Sequence, residues 1–77
     1  MNLYDTKKGH DYKVKSIRGG RSFINKIESM GILSGTILTR INANVGGGPV
    51  VIKVGNSRYA LGRGMATKIK VNEIEDA

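Results

Sequence analysis

The chain has 77 residues, with 13 Lys and Arg against six Asp and Glu, which gives a formal net charge of +7. Cysteine is absent, so disulfides, thiolate metal sites, iron–sulfur clusters and a cysteine nucleophile are excluded. One domain of this length leaves little surface for a deep pocket. With a single histidine and six carboxylates, a catalytic triad would need nearly every reactive side chain. We therefore expect a binding protein rather than an enzyme.

No apolar run is long enough for a transmembrane helix. The N-terminus also lacks the basic and apolar pattern of a signal peptide. These two observations predict a cytoplasmic protein.

The first predicted strand runs from Tyr12 to Arg18, with Tyr12 and Val14 on one face. Because Ile17 breaks the alternation, we expect a bulge near Ser16. The segment before this strand, which includes His10, is interpreted as flexible.

The only good helix is predicted from Arg21 to Met30, where apolar residues recur at helical spacing. The stripe consists of Phe23, Ile24, Ile27 and Met30. Ser22 or Gly20 is suited to begin the helix. Gly31 stands where a left-handed residue ends it, so that Ile32 folds back on the last turn.

Alternating apolar residues predict the remaining strands. They span Thr36 to Asn42, Val50 to Val54, Arg58 to Leu61 and Lys68 to Ile74. Gly55-Asn56-Ser57 is predicted to be a tight hairpin turn, and Gly62 to Thr67 an irregular or short 3₁₀ turn. Five short strands with one helix after the first strand predict a mainly β, strongly bent antiparallel barrel, since closure protects short edges. Periodicity alone leaves SH3-like and OB-like barrels open.

The landmarks of the chain occur in a distinctive order from Leu3 to Ile74. They are the helix exit Met30-Gly31-Ile32-Leu33-Ser34-Gly35, the hairpin segment from Gly48-Pro49 to Val54-Gly55, Tyr59-Ala60-Leu61, and Ala66 through Ile69-Lys70-Val71. This order resembles the FeoA family, the small cytosolic companion of the ferrous-iron transporter FeoB. Met30 replaces the usual Leu, and Gly62-Arg63 stands where an Arg directly after Leu61 is usual.

The resemblance implies an SH3-like barrel with an inserted helix and no known enzymatic activity. It also implies regulation of bacterial ferrous-iron uptake by contact with the cytosolic part of FeoB, which includes a GTP-binding domain. We expect the contact at the helix exit, the glycine-rich tip and one nearby arginine. The predicted partner-binding residues are Met30, Leu33, Asn44, Gly46, Gly47, Gly48, Pro49 and Arg63.

Each of these assignments has a purely structural alternative. Leu33 would equally serve as a hydrophobic staple closing one end of the barrel. The three glycines would form a hairpin tip that needs positive φ. They do not form a phosphate loop, because Pro49 and a strand follow them instead of Lys-Ser or Lys-Thr and a helix.

His10, with Asp11 and Asp5, is a weak candidate for a surface metal site. One histidine supplies too few ligands at fixed geometry, so we predict neither a resident metal nor a cofactor.

The net charge leaves two further partners open. A basic small barrel is suited to nucleic acid through Lys13, Lys15, Arg18, Arg58, Arg63, Lys68 and Lys70, but single-strand binders also need surface aromatics. Nucleic-acid binding is therefore the alternative function. Lysines also attract an anionic membrane surface, which predicts peripheral contact beneath a transporter.

Overall fold

The computed structural model describes residues 1–43 and 46–74. Five strands lie within them: β1 (Asp11–Ile17), β2 (Ile37–Arg40), β3 (Val50–Val54), β4 (Ser57–Leu61) and β5 (Ile69–Glu73). A 3₁₀ helix (Leu3–Asp5) precedes β1, α1 (Arg21–Ser29) follows it, and α2 (Arg63–Ala66) lies between β4 and β5. The mainly β architecture with a helix after the first strand is confirmed.

The five described strands form one antiparallel sheet in the order β4-β3-β2-β1-β5. The pairing of β1 with β5 shifts register between Val14 and Ser16, which confirms the expected bulge. The outer edge of β5 is covered by the N-terminus, where the Val71 amide donates to the Met1 carbonyl at 2.8 Å and Asn2 bridges to Lys70. The 3₁₀ helix contacts both β5 and α2, so these short elements protect part of the barrel rim.

The core lies on the inner face of the sheet. Val50 and Ile52 are fully buried on β3, and Ile69 and Val71 on β5, as their alternation predicts. Full burial of one such aliphatic side chain stabilises the fold by about 1.5–3 kcal/mol. The buried apolar residues are Leu3, Tyr12, Val14, Ile27, Ile32, Leu38, Val50, Ile52, Leu61, Ala66, Ile69 and Val71.

Helix α1 covers the core with one fully buried side chain, Ile27. Phe23 and Met30 are half-buried against the same cluster. Gly20 begins the helix without a side-chain hydrogen bond. Gly31 adopts φ +84°, and the Ile32 amide donates back to the Ile27 carbonyl at 3.3 Å, so the predicted left-handed exit is present.

Gly19, just before α1, is fixed by both conformation and space. Its φ is +125°, and a Cβ built there would lie 2.9 Å from Cδ2 of Phe23. The backbone at this corner therefore favours glycine.

Two expectations about irregular segments were wrong. The segment from Gly62 to Thr67 contains a single α-helical turn, because the Gly62 carbonyl accepts the Ala66 amide at 2.9 Å and Ala66 is buried. The segment before β1 is anchored, because the side chain of Leu3 is fully buried and the Lys7 amide donates to the Tyr12 hydroxyl at 2.9 Å. No helix in residues 1–43 or 46–74 has the length and apolarity needed to cross a membrane.

Candidate functional site

The exit of α1 presents an exposed leucine on a rigid turn. Leu33 is 47% exposed. Its amide donates to the Thr36 hydroxyl at 3.0 Å, and its carbonyl accepts the Thr36 amide at 2.9 Å. The Ser34 hydroxyl donates to the Lys15 carbonyl at 3.0 Å, which holds the turn against β1. Since Met30 packs on the core, Leu33 supplies most of the apolar surface here.

The β2–β3 hairpin is braced below its tip by one side chain. The Asn42 amide group donates to the Pro49 carbonyl at 2.8 Å, and its oxygen accepts the Val51 amide at 2.9 Å. Above this brace, Gly46 and Gly47 both have φ +74°, as expected for a tight tip. Asn44, which we predicted to be a contact residue, lies outside the described residues.

Arg63 is the first residue of α2 and is exposed. Its guanidinium carbon lies 5.0 Å from the centre of the Tyr4 ring. A cation over an aromatic face contributes about 0.5–1 kcal/mol at exposed sites. Arg63 is therefore partly oriented by the N-terminal segment, while its charge stays accessible to a partner.

The predicted contact residues separate into two groups at opposite ends of the sheet. The Leu33 turn leads directly into the start of β2, whereas Gly46 to Pro49 lie beyond its end. Because Val50 pairs with Leu61, Arg63 emerges at the same end as the glycine tip. The structure thus brings Arg63 and the tip to one end, and leaves Met30 and Leu33 at the other.

Arg40 is an important residue that sequence reasoning did not single out. It is fully buried. Its Nη1 donates to the Thr6 carbonyl at 2.9 Å and the Thr6 hydroxyl at 3.0 Å. Longer contacts reach the Leu3 and Tyr4 carbonyls, at 3.4 Å and 3.3 Å. Its place on the same strand face as Leu38 was the signal available in the sequence.

The Arg40 guanidinium joins the N-terminal segment to the base of the glycine-rich hairpin. Its Nε donates to the Asn42 side-chain oxygen at 3.0 Å. Asn42 therefore both accepts a hydrogen bond from Arg40 and braces the β2–β3 hairpin. Burial lowers the pKa of Arg40 below its ordinary value, although arginine remains a cation in proteins. Nη2 is buried without a hydrogen-bond partner among the described residues, which is a cost that the other bonds offset.

His10 is exposed at the start of β1, where it lines a recess of about 290 Å³ with Gly9, Asp11, Glu73 and Ile74. The Asp11 carboxylate accepts the Thr39 hydroxyl at 2.6 Å. Despite this shared recess, no group of three or more His, Cys, Asp or Glu in the described part of the chain is arranged to hold a metal ion. The His10 site therefore gains no support from the geometry.

The aromatic side chains are occupied by the fold. Tyr12 is buried, Tyr4 lies under Arg63, and the ammonium of Lys68 lies 4.9 Å from the centre of the Phe23 ring. Tyr59 is half-buried against the core. Base stacking, which single-strand binders require, has no open aromatic platform in the described residues.

Comparison with known proteins gives consistent matches. The family model of the FeoA domain matches residues 1–73. A protein of Methanocaldococcus jannaschii assigned by name as Fe(2+) transport protein A is 41% identical over 70 residues, which cover 90% of this chain and 82% of that protein.

Solved structures show the same fold. A crystal structure of an iron uptake regulatory protein, FeoA, superposes with a TM-score of 0.84 and 30% identity, and the match covers 95% of each chain. The zinc complex of FeoA from Stenotrophomonas maltophilia, described as a prokaryotic SH3 domain protein, gives a TM-score of 0.82 at 22% identity, over 94% of this chain and 89% of that one. The SH3-like barrel that the resemblance implied is confirmed.

Proposed function

Because the chain belongs to the FeoA family of iron-transport accessory proteins, we propose that it regulates a FeoB-like ferrous-iron transporter by contact with the transporter's cytosolic, GTP-binding region. The observation that carries this proposal is the family match over residues 1–73. Regulation requires that the chain bind one conformation of the transporter more tightly than another. No catalytic step is assigned to the chain itself.

The geometry of the helix exit supports contact there. Leu33 is 47% exposed, and hydrogen bonds on both sides fix the turn that carries it. A leucine presented on a fixed turn loses little conformational entropy on binding, which favours affinity. We assign Leu33 to the transporter contact, with the half-buried Met30 at the C-cap of α1 as a smaller part of it.

The other end of the sheet supplies a second contact. Arg63 offers an oriented charge at the same end of the sheet as the exposed Gly46, Gly47 and Pro49. A cytosolic region that reaches both ends would lie along the barrel, so its orientation would be fixed by two separated contacts.

A pulldown with this chain as the bait, from membrane extract and total RNA at two salt concentrations, tests the proposal. We expect the transporter to be enriched at both concentrations. Salt-labile RNA recovery without the transporter would instead favour nucleic-acid binding, because phosphate contacts weaken steeply with salt. The net charge of +7 is the observation that keeps this second function in the test.

A further inference from the structure

The outer face of the sheet, away from the core, carries cations around an exposed isoleucine. Ile37 on β2 is 57% exposed, and Lys13 on β1 lies opposite it. Two residues further along β2, Thr39 pairs with Lys53, which in turn pairs with Arg58 on β4. Lys15 is exposed on β1 beside the Leu33 turn. We name this surface the lysine–isoleucine face: Lys13, Lys15, Ile37, Lys53 and Arg58.

Little on the fold covers Ile37. Its β1 neighbour, Lys13, is itself exposed. On the other side, strand β3 pairs Lys53 with Thr39. Continued by two residues, this antiparallel register places Gly55 opposite Ile37, and Gly55 has no side chain to cover it. An isoleucine at this position contributes little to the core, so its exposed surface is available to a partner.

The charge of this face selects an anionic partner. Its one described carboxylate neighbour is Asp11, which is engaged by the Thr39 hydroxyl at 2.6 Å. The other described acids, Asp5, Glu28 and Glu73, belong to the 3₁₀ helix, α1 and the end of β5. Four cations therefore share this face with Ile37, one of them directly opposite it, without a matching set of described acids.

The residue types distinguish a lipid surface from an acidic protein or nucleic acid. Lysine is depleted at protein–protein interfaces, which prefer aromatic anchors, and this face has three lysines and no aromatic residue. Binders of single-stranded nucleic acid also rely on aromatic stacking. Lysines near an anionic leaflet each add attraction, and aliphatic tips enter the headgroup boundary. We propose that the lysine–isoleucine face binds an anionic lipid bilayer.

In this arrangement the cations contact lipid phosphates while the Ile37 side chain enters the boundary between headgroups and acyl chains. The contact is peripheral and reversible, because one aliphatic side chain and a few lysines give far less affinity than an inserted helix. It leaves the Leu33 turn at the border of the face. The lipid contact uses residues other than those assigned to the transporter, so either contact can fail without the other.

Cosedimentation with vesicles of equal phosphatidylcholine and phosphatidylglycerol tests the assignment. The chain should bind these vesicles at low salt and not bind phosphatidylcholine alone. Lys13→Glu with Lys53→Glu should weaken binding by about twenty-fold or more, since each lysine near the surface contributes about fivefold. The matched control is Lys7→Glu with Lys8→Glu, which changes net charge equally in an exposed turn outside the face and should stay within about threefold.

A fluorescence reporter separates insertion from general attraction. The chain has no tryptophan, so Ile37→Trp introduces a single probe, and Lys8→Trp is its control. The emission of Ile37→Trp should shift to shorter wavelength on the anionic vesicles, while that of Lys8→Trp should not.

Three outcomes would overturn the proposal. The first is that the two double variants lose vesicle binding equally. The second is that the emission of Ile37→Trp does not shift on anionic vesicles. The third is that Lys13→Glu with Lys53→Glu loses transporter or RNA capture while its vesicle binding persists. Failure on vesicles with intact transporter capture would refute the lipid face and leave the proposed function standing.

Discussion

The two ends of β2 reverse what hydropathy leads one to expect. Arg40 is fully buried, whereas Ile37, three residues earlier on the same strand, is 57% exposed. The difference follows from the alternation of side chains along the strand: Arg40 points inward with Leu38, and Ile37 points outward beside Lys13. The inward arginine organises the fold, and the outward isoleucine is free for contact. Exposure of an apolar side chain is thus more informative about function here than burial of a charged one.

The largest expected effect is at the buried end. Arg40→Ala removes the hydrogen bonds to the N-terminal segment and leaves the Thr6 carbonyl without the guanidinium donor, whereas the Leu3 carbonyl keeps its bond from the Thr6 hydroxyl. A hydrogen bond from a charged donor contributes about 1.5–3 kcal/mol, so losing this buried network removes a large part of the stability of so small a domain. Urea unfolding should show this loss. An unfolding free energy unchanged within about 0.5 kcal/mol would contradict the assigned role.

Gly19→Ala should have the next largest effect. The new Cβ meets the Phe23 ring at 2.9 Å, in a backbone conformation with φ +125°. Strain of this kind costs about 2 kcal/mol. Gly20→Ala is the control, because its added Cβ meets no atom within 4 Å. Equal thermal stability of the two variants would show that the ring does not restrict this corner.

Tyr12→Phe sharpens the account of the N-terminal anchor. It keeps the buried ring and removes the acceptor for the Lys7 amide, which should cost about 1 kcal/mol. Amide hydrogen exchange at Lys7 should accelerate more than exchange in the β3–β4 pairing. Unchanged exchange at Lys7 would mean that the anchor depends on other contacts.

The smallest effect is expected at the exposed end. Ile37→Thr keeps a β-branched side chain in the strand and removes apolar surface that is already in water. Its unfolding free energy should stay within about 0.5 kcal/mol of the parent chain. A loss as large as that of Arg40→Ala would show that Ile37 serves the core, and would remove the contrast between the two ends of β2.

The sequence was sufficient for the features that alternation and glycine chemistry determine. The strand Val50 to Val54, the bulge near Ser16 and the left-handed Gly31 all follow from local pattern. The sequence did not reveal that the N-terminal segment is held in place, because its anchor is Arg40, more than thirty residues away along the chain. The α-helical turn of α2 was also missed, since burial of Ala66 overrides Gly64 within the turn and Gly62 at its N-cap.

The same limit applies to the candidate contacts. The exposure of Leu33 in the structure agrees with the contact expected at the helix exit rather than with a staple buried under the barrel. The separation of the Leu33 turn from Arg63 and the glycine tip required the register of β3 with β4. Pairing across strands, rather than spacing within one, decides which residues share a surface.

Calorimetric titration of the purified cytosolic region of the FeoB-like transporter with this chain measures the proposed contact itself. We expect saturable binding that Leu33→Asp weakens at least about tenfold, or about 1.4 kcal/mol, because a carboxylate would replace the apolar contact. Ile74→Asp, which alters an exposed aliphatic residue outside the turn, should bind as the parent chain does. Absence of binding by the parent chain, or equal affinity of all three proteins, would contradict the account.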